Sequence, residues 1–184
     1  VQLFTSGTTG KPKAALLKHE NLVSYILGTV EFGAAPDDDA VLVTVPPYHI
    51  AGIAAVLSST YACRRVVQIE SFDPKLWVET CRREKTTRGF LVPTMISRIV
   101  EYLDDNGLEP DMPSLQAIAY GGGKMPLSTI QRAMALFPKV DFTNAYGLTE
   151  TSSTVAVLTP DDHREAANSD DPAVQKRLGS AGQP

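Results

Sequence analysis

Short runs of β-forming residues alternate with longer segments of helical periodicity along most of the chain. Residues 41–45, 65–69 and 115–120 are typical of strands, and Asp73-Pro74 begins a helical segment with an N-cap residue followed by proline. This alternation is the pattern of βα units, in which helices flank a mainly parallel sheet. We therefore predict an α/β fold.

The same criteria predict the other elements. Strands are predicted at residues 1–5, 90–92, 140–143 and 155–158, and helices at residues 19–32, 50–62, 73–83, 94–103 and 126–136. The segment 159–176 is polar and contains several aspartates, so we predict a mobile surface loop there.

The composition fits one globular domain and argues against several classes of protein. At 184 residues, 43% of them hydrophobic, the chain is long enough to bury a core. No apolar stretch reaches the roughly 18–20 residues of a membrane-spanning helix, so we expect no membrane span. A net charge of −4 argues against nucleic acid as a partner. The two cysteines, Cys63 and Cys81, lack metal-site spacing and favour a reducing, cytoplasmic location.

We also expect the sequence to be part of a longer polypeptide. It begins without methionine in an apolar run and stops at Gly182-Gln183-Pro184 without a terminal element. Strands that normally pair with a missing portion would leave open sheet edges, and such edges favour association into a homo-oligomer.

The strongest functional signal is the segment Thr5-Ser6-Gly7-Thr8-Thr9-Gly10-Lys11-Pro12-Lys13, which follows the first predicted strand. Glycines allow the backbone to approach a ligand closely, hydroxyls donate hydrogen bonds, and lysines add positive charge. These features predict a phosphate-binding loop. It is not a Walker P-loop, because only two residues separate Gly7 from Gly10 and proline follows Lys11.

These nine residues resemble the phosphate loop of the adenylate-forming (AMP-binding) superfamily, which includes acyl-CoA synthetases, peptide-synthetase adenylation domains and luciferases. Further segments resemble that family's motifs in the same order: Pro46-Pro47-Tyr48-His49-Ile50-Ala51-Gly52, Tyr120-Gly121-Gly122-Gly123-Lys124-Met125-Pro126, Asn144-Ala145-Tyr146-Gly147-Leu148-Thr149-Glu150 and Gly179-Ser180-Ala181-Gly182-Gln183-Pro184. The chain departs from the family at Lys124, where relatives often have proline, and at Ala14, where glycine is common.

The resemblance implies a fold and an activity. Residues 1–184 would form part of the layered N-terminal domain of an adenylate-forming enzyme, with the phosphate loop at 5–13, the Tyr-Gly-x-Thr-Glu segment at 146–150 and the C-terminal domain absent. The implied enzyme is an AMP-forming acyl-CoA synthetase that uses a small-molecule carboxylic acid, ATP, Mg²⁺ and coenzyme A. The isolated chain is expected to be inactive, because the family's essential lysine lies in the C-terminal domain.

The resemblance also implies site residues, whose chemistry suits these roles. Tyr146 offers an aromatic face for adenine, while the hydroxyl of Thr149 and the carboxylate of Glu150 suit the α-phosphate and Mg²⁺. The implied phosphate-binding residues are Thr5, Ser6, Gly7, Thr8, Thr9, Gly10 and Lys13. The implied adenine-binding residues are Gly122, Gly123, Lys124, Asn144, Ala145, Tyr146 and Gly147. The implied acyl pocket contains His49, Ala51, Gly52, Ala55 and Gly121, and the implied catalytic residues are His49, Lys13, Thr149 and Glu150, the last two also binding the metal.

Alternatives stay open from the sequence. Tyr146 could be a buried core tyrosine and His49 a structural histidine, while His19 is expected to pack or cap near the loop and His163 receives no role. A peptide-synthetase adenylation domain is the nearest enzymatic alternative, although residues 48–55 contain no aspartate that could hold an amino acid's ammonium group. That favours a fatty, aromatic or other non-amino acid. A non-catalytic nucleotide-binding regulatory module is the alternative of a different class.

Overall fold

A computed structural model describes residues 1–5 and 13–184 and contains a six-stranded sheet flanked by helices. The strands are β1 (Gln2–Thr5), β2 (Lys13–Leu16), β3 (Ala40–Val43), β4 (Arg65–Gln68), β5 (Arg88–Leu91), β6 (Ala117–Gly121), β7 (Asp141–Leu148) and β8 (Ser153–Leu158). The α-helices are α1 (His19–Thr29), α2 (Ile50–Tyr61), α3 (Pro74–Glu84), α4 (Pro93–Asp105), α5 (Leu127–Leu136), α6 (Pro160–Asn168) and α7 (Pro172–Gln175). Short 3₁₀ turns lie at Thr149–Thr151 and Lys176–Gly179.

The sheet has the predicted, mainly parallel arrangement. Its strand order is β4-β3-β5-β6-β7-β8, and only β8 runs antiparallel, to β7. The α/β prediction is therefore confirmed. The pairing of β1 with β2 as a separate antiparallel sheet was not predicted, because Ala14 and Ala15 in β2 have little β propensity.

One face of the large sheet is packed with the hydrophobic core. Leu91, Ile118, Tyr120 and Phe142 point from β5, β6 and β7 into a cluster with residues of α3, α4 and α5. Trp77 of α3 is completely buried in this cluster. Because side chains alternate between the two faces of a strand, the residues between these ones face the opposite side of the sheet.

The helices begin largely where the sequence predicts. The side chain of Asp73 accepts a hydrogen bond from the Leu76 amide at 2.9 Å, so Asp73 is the N-cap of α3 as expected. The α1 helix ends at Thr29 rather than at residue 32, since Val30 is already extended. On α1 the predicted apolar stripe is only partly buried, because Leu22 and Ile26 pack inward while Val23 and Leu27 are exposed.

The prediction of a surface loop at 159–176 is wrong. This segment forms α6 and α7, and His163 and Ala166 of α6 are buried. Thr159 caps α6, because its hydroxyl accepts a hydrogen bond from the Asp162 amide while Asp162 accepts one from the Thr159 amide. The aspartates thus belong to helix N-termini rather than to a loop.

The strand predicted at 140–143 is also too short. In the structure β7 continues to Leu148, because residues 144–148 pair with β8. The Tyr-Gly-x-Thr-Glu segment therefore begins inside a strand and ends in the following 3₁₀ turn.

Across residues 1–5 and 13–184, every helix is too short or too polar to cross a bilayer.

Candidate functional site

A cavity of about 730 Å³ lies between α2 and the face of the sheet opposite the core. Small residues create this space, since Ala119 and Gly121 of β6 and Ala145 and Gly147 of β7 line it. Ala51 and Ala55 of α2 form part of the opposite wall. A cavity of this size accommodates a small-molecule ligand.

Two of the lining glycines are required by close backbone packing. A Cβ atom on Gly121 would lie 2.2 Å from the carbonyl oxygen of Ala145, and one on Gly147 would lie 1.9 Å from that of Ser153. Both contacts are with backbone, which cannot rotate away. These glycines therefore keep β6, β7 and β8 close together at the cavity floor.

Thr149 and Glu150 line one end of the cavity, in the 3₁₀ turn that follows β7. The hydroxyl of Thr151 fixes this turn: it accepts a hydrogen bond from the Leu148 amide at 3.0 Å and donates to the Leu148 carbonyl at 2.9 Å. Within the described residues, the carboxylate of Glu150 forms no ion pair. It is available to a cation or a ligand.

His49 lines the cavity from the helix side, at the N-cap of α2. Its amide donates to the Pro46 carbonyl at 3.0 Å, and its ring lies 4.8 Å from that of Tyr48, centroid to centroid. Gly52, predicted for the acyl pocket, does not line the cavity. It is buried, and a Cβ there would lie 2.4 Å from the Pro46 carbonyl oxygen, so this glycine lets α2 approach the backbone.

One end of the predicted phosphate loop reaches the same region. Thr5 lines the cavity, whereas its register partner Lys13, the exposed first residue of β2, does not line it. The residues between them, including the predicted Ser6, Gly7, Thr8, Thr9 and Gly10, lie outside the described part of the chain. Their roles stay predictions.

The predicted adenine-binding residues are divided between the cavity and its rim. Gly122, Ala145 and Gly147 line the cavity. The cavity lining does not include the other four, Gly123, Lys124, Asn144 and Tyr146. The side-chain amide of Asn144 instead donates a hydrogen bond to the Ser180 carbonyl at 2.7 Å.

Tyr146 is not a core residue. Its side chain is 47% exposed, so the alternative of a buried tyrosine is wrong. Gly121 pairs with Ala145, and Gly122 and Gly123 therefore leave β6 beside Tyr146. An exposed aromatic ring next to a glycine turn is a suitable surface for a planar base.

The far end of the cavity contains a charged cluster that the sequence did not reveal. Asp39 is only 4% exposed and forms ion pairs with Arg64 at 2.7 Å and Arg88 at 3.2 Å; both arginines line the cavity. Burial acts to raise the pKa of Asp39, but hydrogen bonds from Thr87 and Arg64 and the charges of both arginines lower it below its ordinary value. Asp39 is therefore ionised.

A buried polar pair supports the site from the packed face of the sheet. The Tyr120 hydroxyl lies 2.8 Å from Nε2 of His163, and Nδ1 of His163 lies 2.8 Å from the Thr159 carbonyl oxygen. Sequence reasoning gave His163 no role. The signal that could have found it is the helix start at Thr159-Pro160, which places His163 one turn into α6.

The oxygen donors at the cavity suit Mg²⁺ bound together with phosphates. Glu150 offers a carboxylate and Thr149 a hydroxyl, and Mg²⁺ is commonly held by one or two carboxylates plus substrate phosphates and water. Among residues 1–5 and 13–184, no group of three His, Cys, Asp or Glu side chains could hold a metal by itself. This donor set fits a cation that arrives with a nucleotide.

Comparison with known proteins gives a consistent result. A family model described as "AMP-binding enzyme" matches residues 1–184. A 2-succinylbenzoate–CoA ligase of Bacillus licheniformis is 30% identical over 184 residues, which is 99% of this chain and 34% of that protein. The chain thus spans about a third of the length of the curated relatives it matches.

Two solved structures extend this similarity to the fold. The o-succinylbenzoate CoA synthetase of Bacillus subtilis in complex with its acyl-adenylate intermediate matches with a TM-score of 0.78 and 27% identity, covering 100% of this chain and 34% of that chain. The same synthetase in complex with ATP and a magnesium ion matches with a TM-score of 0.77 and 27% identity, covering 100% and 35% of the two chains.

Proposed function

Because the chain belongs to the family of AMP-binding enzymes, we propose that it is part of an ATP-dependent, AMP-forming ligase that joins a carboxylic acid to coenzyme A. The observation that carries this proposal is the cavity between α2 and the sheet, where Thr5, His49, Thr149 and Glu150 share a mainly apolar lining that ends at Arg64 and Arg88. An acid-activating enzyme needs groups that bind the phosphates of ATP next to a pocket that holds the acid.

The proposed reaction has two steps. A carboxylate oxygen of the acid attacks the α-phosphorus of ATP, the bond to pyrophosphate breaks, and an acyl-adenylate forms. The thiol of coenzyme A then attacks the acyl carbonyl carbon, loses its proton to solvent or a base, and expels AMP. Both reactants of the first step are anions, so the site must hold them together and counter their charge.

The chain's own residues supply this positioning. The loop 5–13 would hold the β- and γ-phosphates, Thr149 would donate to the α-phosphate, and Glu150 would ligate Mg²⁺. When bound, Mg²⁺ contributes positive charge at the phosphate oxygens. The mainly apolar wall formed by α2 would keep water from the acyl-adenylate, and His49 would border the acyl group.

Adenine would bind at the rim. We propose that it stacks on Tyr146 beside Gly122 and Gly123, a location supported by the exposure of the tyrosine ring. Lys124 and Asn144 would border the same base.

The lining favours a non-amino acid as substrate. An amino acid needs a carboxylate for its ammonium group, yet Asp39 is already paired with two arginines, and Glu150 is assigned to the metal. This supports a CoA ligase over a peptide-synthetase adenylation domain.

We further infer the context in which the chain works. It would be one part of the N-terminal domain of a longer enzyme, with negligible turnover alone. Cys63 is an exposed free thiol, which supports a cytoplasmic location. The edge strand β4, with Val66 exposed, would allow self-association.

Carboxylate-dependent exchange of labelled pyrophosphate into ATP tests the proposal. The assay is run on the longer polypeptide that carries this chain, with fatty, aromatic and amino acids, and with residues 1–184 alone as a control. We expect exchange with one class of non-amino acid and none with the isolated chain. Binding of ATP without exchange for any acid would instead support a regulatory module.

The role of Glu150 is tested with Glu150→Gln. We expect at least a roughly 100-fold loss of exchange, because removing a charge-assisted contact of this kind costs about 3 kcal/mol. The matched control is Glu101→Gln, an exposed glutamate on α4 outside the cavity. Equal activity of the two variants would contradict the role of Glu150.

A further inference from the structure

The turn that carries Thr149 and Glu150 connects two antiparallel strands. β7 ends at Leu148 and β8 begins at Ser153, and these two residues are register partners. Residues 149–152 alone therefore close the hairpin. Since Thr149 and Glu150 both line the cavity, the shape of this short turn sets the position of both side chains.

The backbone leaves the turn in an unusual conformation. Ser152 has a φ of +63° and Ser153 a φ of +128°. Residues with a side chain rarely adopt such positive values, and these conformations persist only where the surroundings hold them. On one side the Ser153 backbone lies directly against Gly147. The turn needs a second interaction that holds its two ends together.

The hydroxyl of Thr151 provides that interaction. It accepts a hydrogen bond from the Leu148 amide at 3.0 Å, and the carbonyl oxygens of Leu148 and Ser153 both lie 2.9 Å from it. A hydroxyl has one proton, so it donates to one of these carbonyls at a time while it accepts from the amide. The backbone hydrogen bond from the Ser152 amide to the Thr149 carbonyl is longer, at 3.2 Å. One side chain thus joins the last residue of β7 to the first residue of β8.

Glu150 depends on the shape of this turn. Its side chain is exposed, and within residues 1–5 and 13–184 its carboxylate has no ion-pair partner that could orient it. The backbone at Glu150 therefore determines where the carboxylate lies. Mg²⁺ requires near-octahedral geometry with short ligand distances, so a small displacement of a ligand weakens its contribution.

We propose that Thr151 is a positioning residue: its hydroxyl holds the β7–β8 turn so that the carboxylate of Glu150 meets the cation that arrives with ATP. This inference rests on the proposed function, because it assumes that Glu150 ligates Mg²⁺. Thr151 itself touches neither the acid nor the nucleotide in this arrangement, since it is absent from the cavity lining.

The kinetic test uses pyrophosphate exchange on the longer polypeptide with the acid that supports the fastest exchange. Thr151→Val keeps the shape of the side chain and removes the hydroxyl. We expect a roughly 10-fold lower kcat, which corresponds to about 1.4 kcal/mol and to one or two hydrogen bonds of this kind. Thr151→Ser restores the hydroxyl, so its kcat and the KM for the acid should stay within about 2-fold of wild type.

The matched control is Thr60→Val. Thr60 is an exposed threonine of α2 outside the cavity, and its hydroxyl also donates to a backbone carbonyl, that of Val56 at 2.8 Å. This variant should exchange pyrophosphate like the wild type. Equal activity of Thr151→Val and Thr60→Val, or an equal loss in Thr151→Ser, would overturn the role of the Thr151 hydroxyl.

A binding measurement separates positioning from a merely structural role. Calorimetry gives the Kd of ATP with and without Mg²⁺, in the absence of any acid, and the ratio of the two values reports how well the protein engages the cation. This ratio should be roughly 3- to 10-fold smaller in Thr151→Val than in the wild type or Thr60→Val. An unchanged ratio would overturn the proposal.

A double-mutant cycle identifies the residue through which Thr151 acts. If the hydroxyl works through Glu150, adding Thr151→Val to Glu150→Gln should lower exchange by less than about 2-fold. A further 10-fold loss in that background would show that Thr151 acts independently of Glu150 and would contradict the inference.

The outcomes also separate this inference from the proposed function. A wild-type protein that exchanges pyrophosphate, together with an unaffected Thr151→Val, would refute the role of Thr151 and leave the ligase supported. If no acid supports exchange in the wild type, the proposed function fails first. Circular dichroism checks the folding of each variant, and Thr151→Ala, which also lacks the hydroxyl, repeats the test should Thr151→Val not fold.

Discussion

Replacing Tyr120 with phenylalanine tests how the strand that leads into the glycine-rich turn is held. Tyr120 is fully buried at the end of β6, directly before Gly121, and its hydroxyl lies 2.8 Å from Nε2 of His163. The Thr159 carbonyl can only accept a hydrogen bond, so Nδ1 of His163 carries the proton. Nε2 is therefore the acceptor, and the tyrosine hydroxyl donates to it.

The expected cost follows from the burial of both groups. His163 is 1% exposed, so the loss of the hydroxyl leaves Nε2 without a donor and without access to water. An unsatisfied buried acceptor costs about 1–3 kcal/mol. For a chain of this size, a loss of about 2 kcal/mol lowers Tm by roughly 4–8 °C.

Urea unfolding of the chain at pH 8 measures this cost. The protein has one tryptophan, Trp77, which is completely buried in the core, and its fluorescence reports the transition. Tyr102→Phe is the matched control. Tyr102 packs against the same core from α4, but its hydroxyl has no hydrogen bond within the described residues.

A decrease in the free energy of unfolding of about 2 kcal/mol for Tyr120→Phe, with less than about 0.5 kcal/mol for Tyr102→Phe, is the expected result. If both variants unfold at the same urea concentration as the wild type, the Tyr120–His163 hydrogen bond does not hold β6 to α6.

Two further predictions concern stability. Burial, although opposed by the Thr159 hydrogen bond and the charge of Asp162, lowers the pKa of His163 from 6.5, so the unfolded state takes up the proton first. The free energy of unfolding is then highest above pH 6.5 and decreases below pH 6.5 by up to about 1.4 kcal/mol per pH unit. Urea unfolding between pH 7.5 and 5 should show this pH dependence for the wild type, and His163→Gln should abolish it. Gly147→Ala should destabilise the chain by about 1–3 kcal/mol, because the added Cβ would collide with the Ser153 backbone. Gly28→Ala, in α1 with open space around it, should stabilise the chain by about 0.5–1 kcal/mol. Similar changes in the free energy of unfolding for both variants would contradict the close packing at Gly147.

The central sheet was predictable because its signals are local. β3 and β4 are rich in valine, and the N-cap and proline at Asp73-Pro74 define the start of α3. The segment 159–176 has an equally clear helix start at Thr159-Pro160. Its several aspartates nevertheless favoured the prediction of a loop. The capping interaction of Thr159 with Asp162 shows that acidic residues there stabilise a helix.

Only some of the predicted site residues line the cavity. A small residue can leave space for a ligand or allow close backbone packing, and the sequence does not distinguish these two cases. Ala51 and Ala55 leave space in the cavity, whereas Gly52, one position away on the same helix, is small because the Pro46 carbonyl lies against it. That distinction depends on how α2 crosses the backbone of residues 45–46.

The charged cluster could not be predicted for a different reason. Asp39 precedes β3, Arg64 follows α2, and Arg88 begins β5, so each alone is typical of an exposed charge at the end of an element. Only the parallel pairing of β3 with β5 and the return of the chain after α2 bring them together.

The most direct test of the proposed activity is a single turnover with ATP labelled at the α-phosphate. The longer polypeptide is mixed with ATP, Mg²⁺ and the acid that supports exchange, without coenzyme A, and the quenched products are separated. We expect the label to appear in an acyl-adenylate, and addition of coenzyme A should move it to AMP. Label in ADP, or label that remains in ATP while the nucleotide is bound, would contradict the proposed activity.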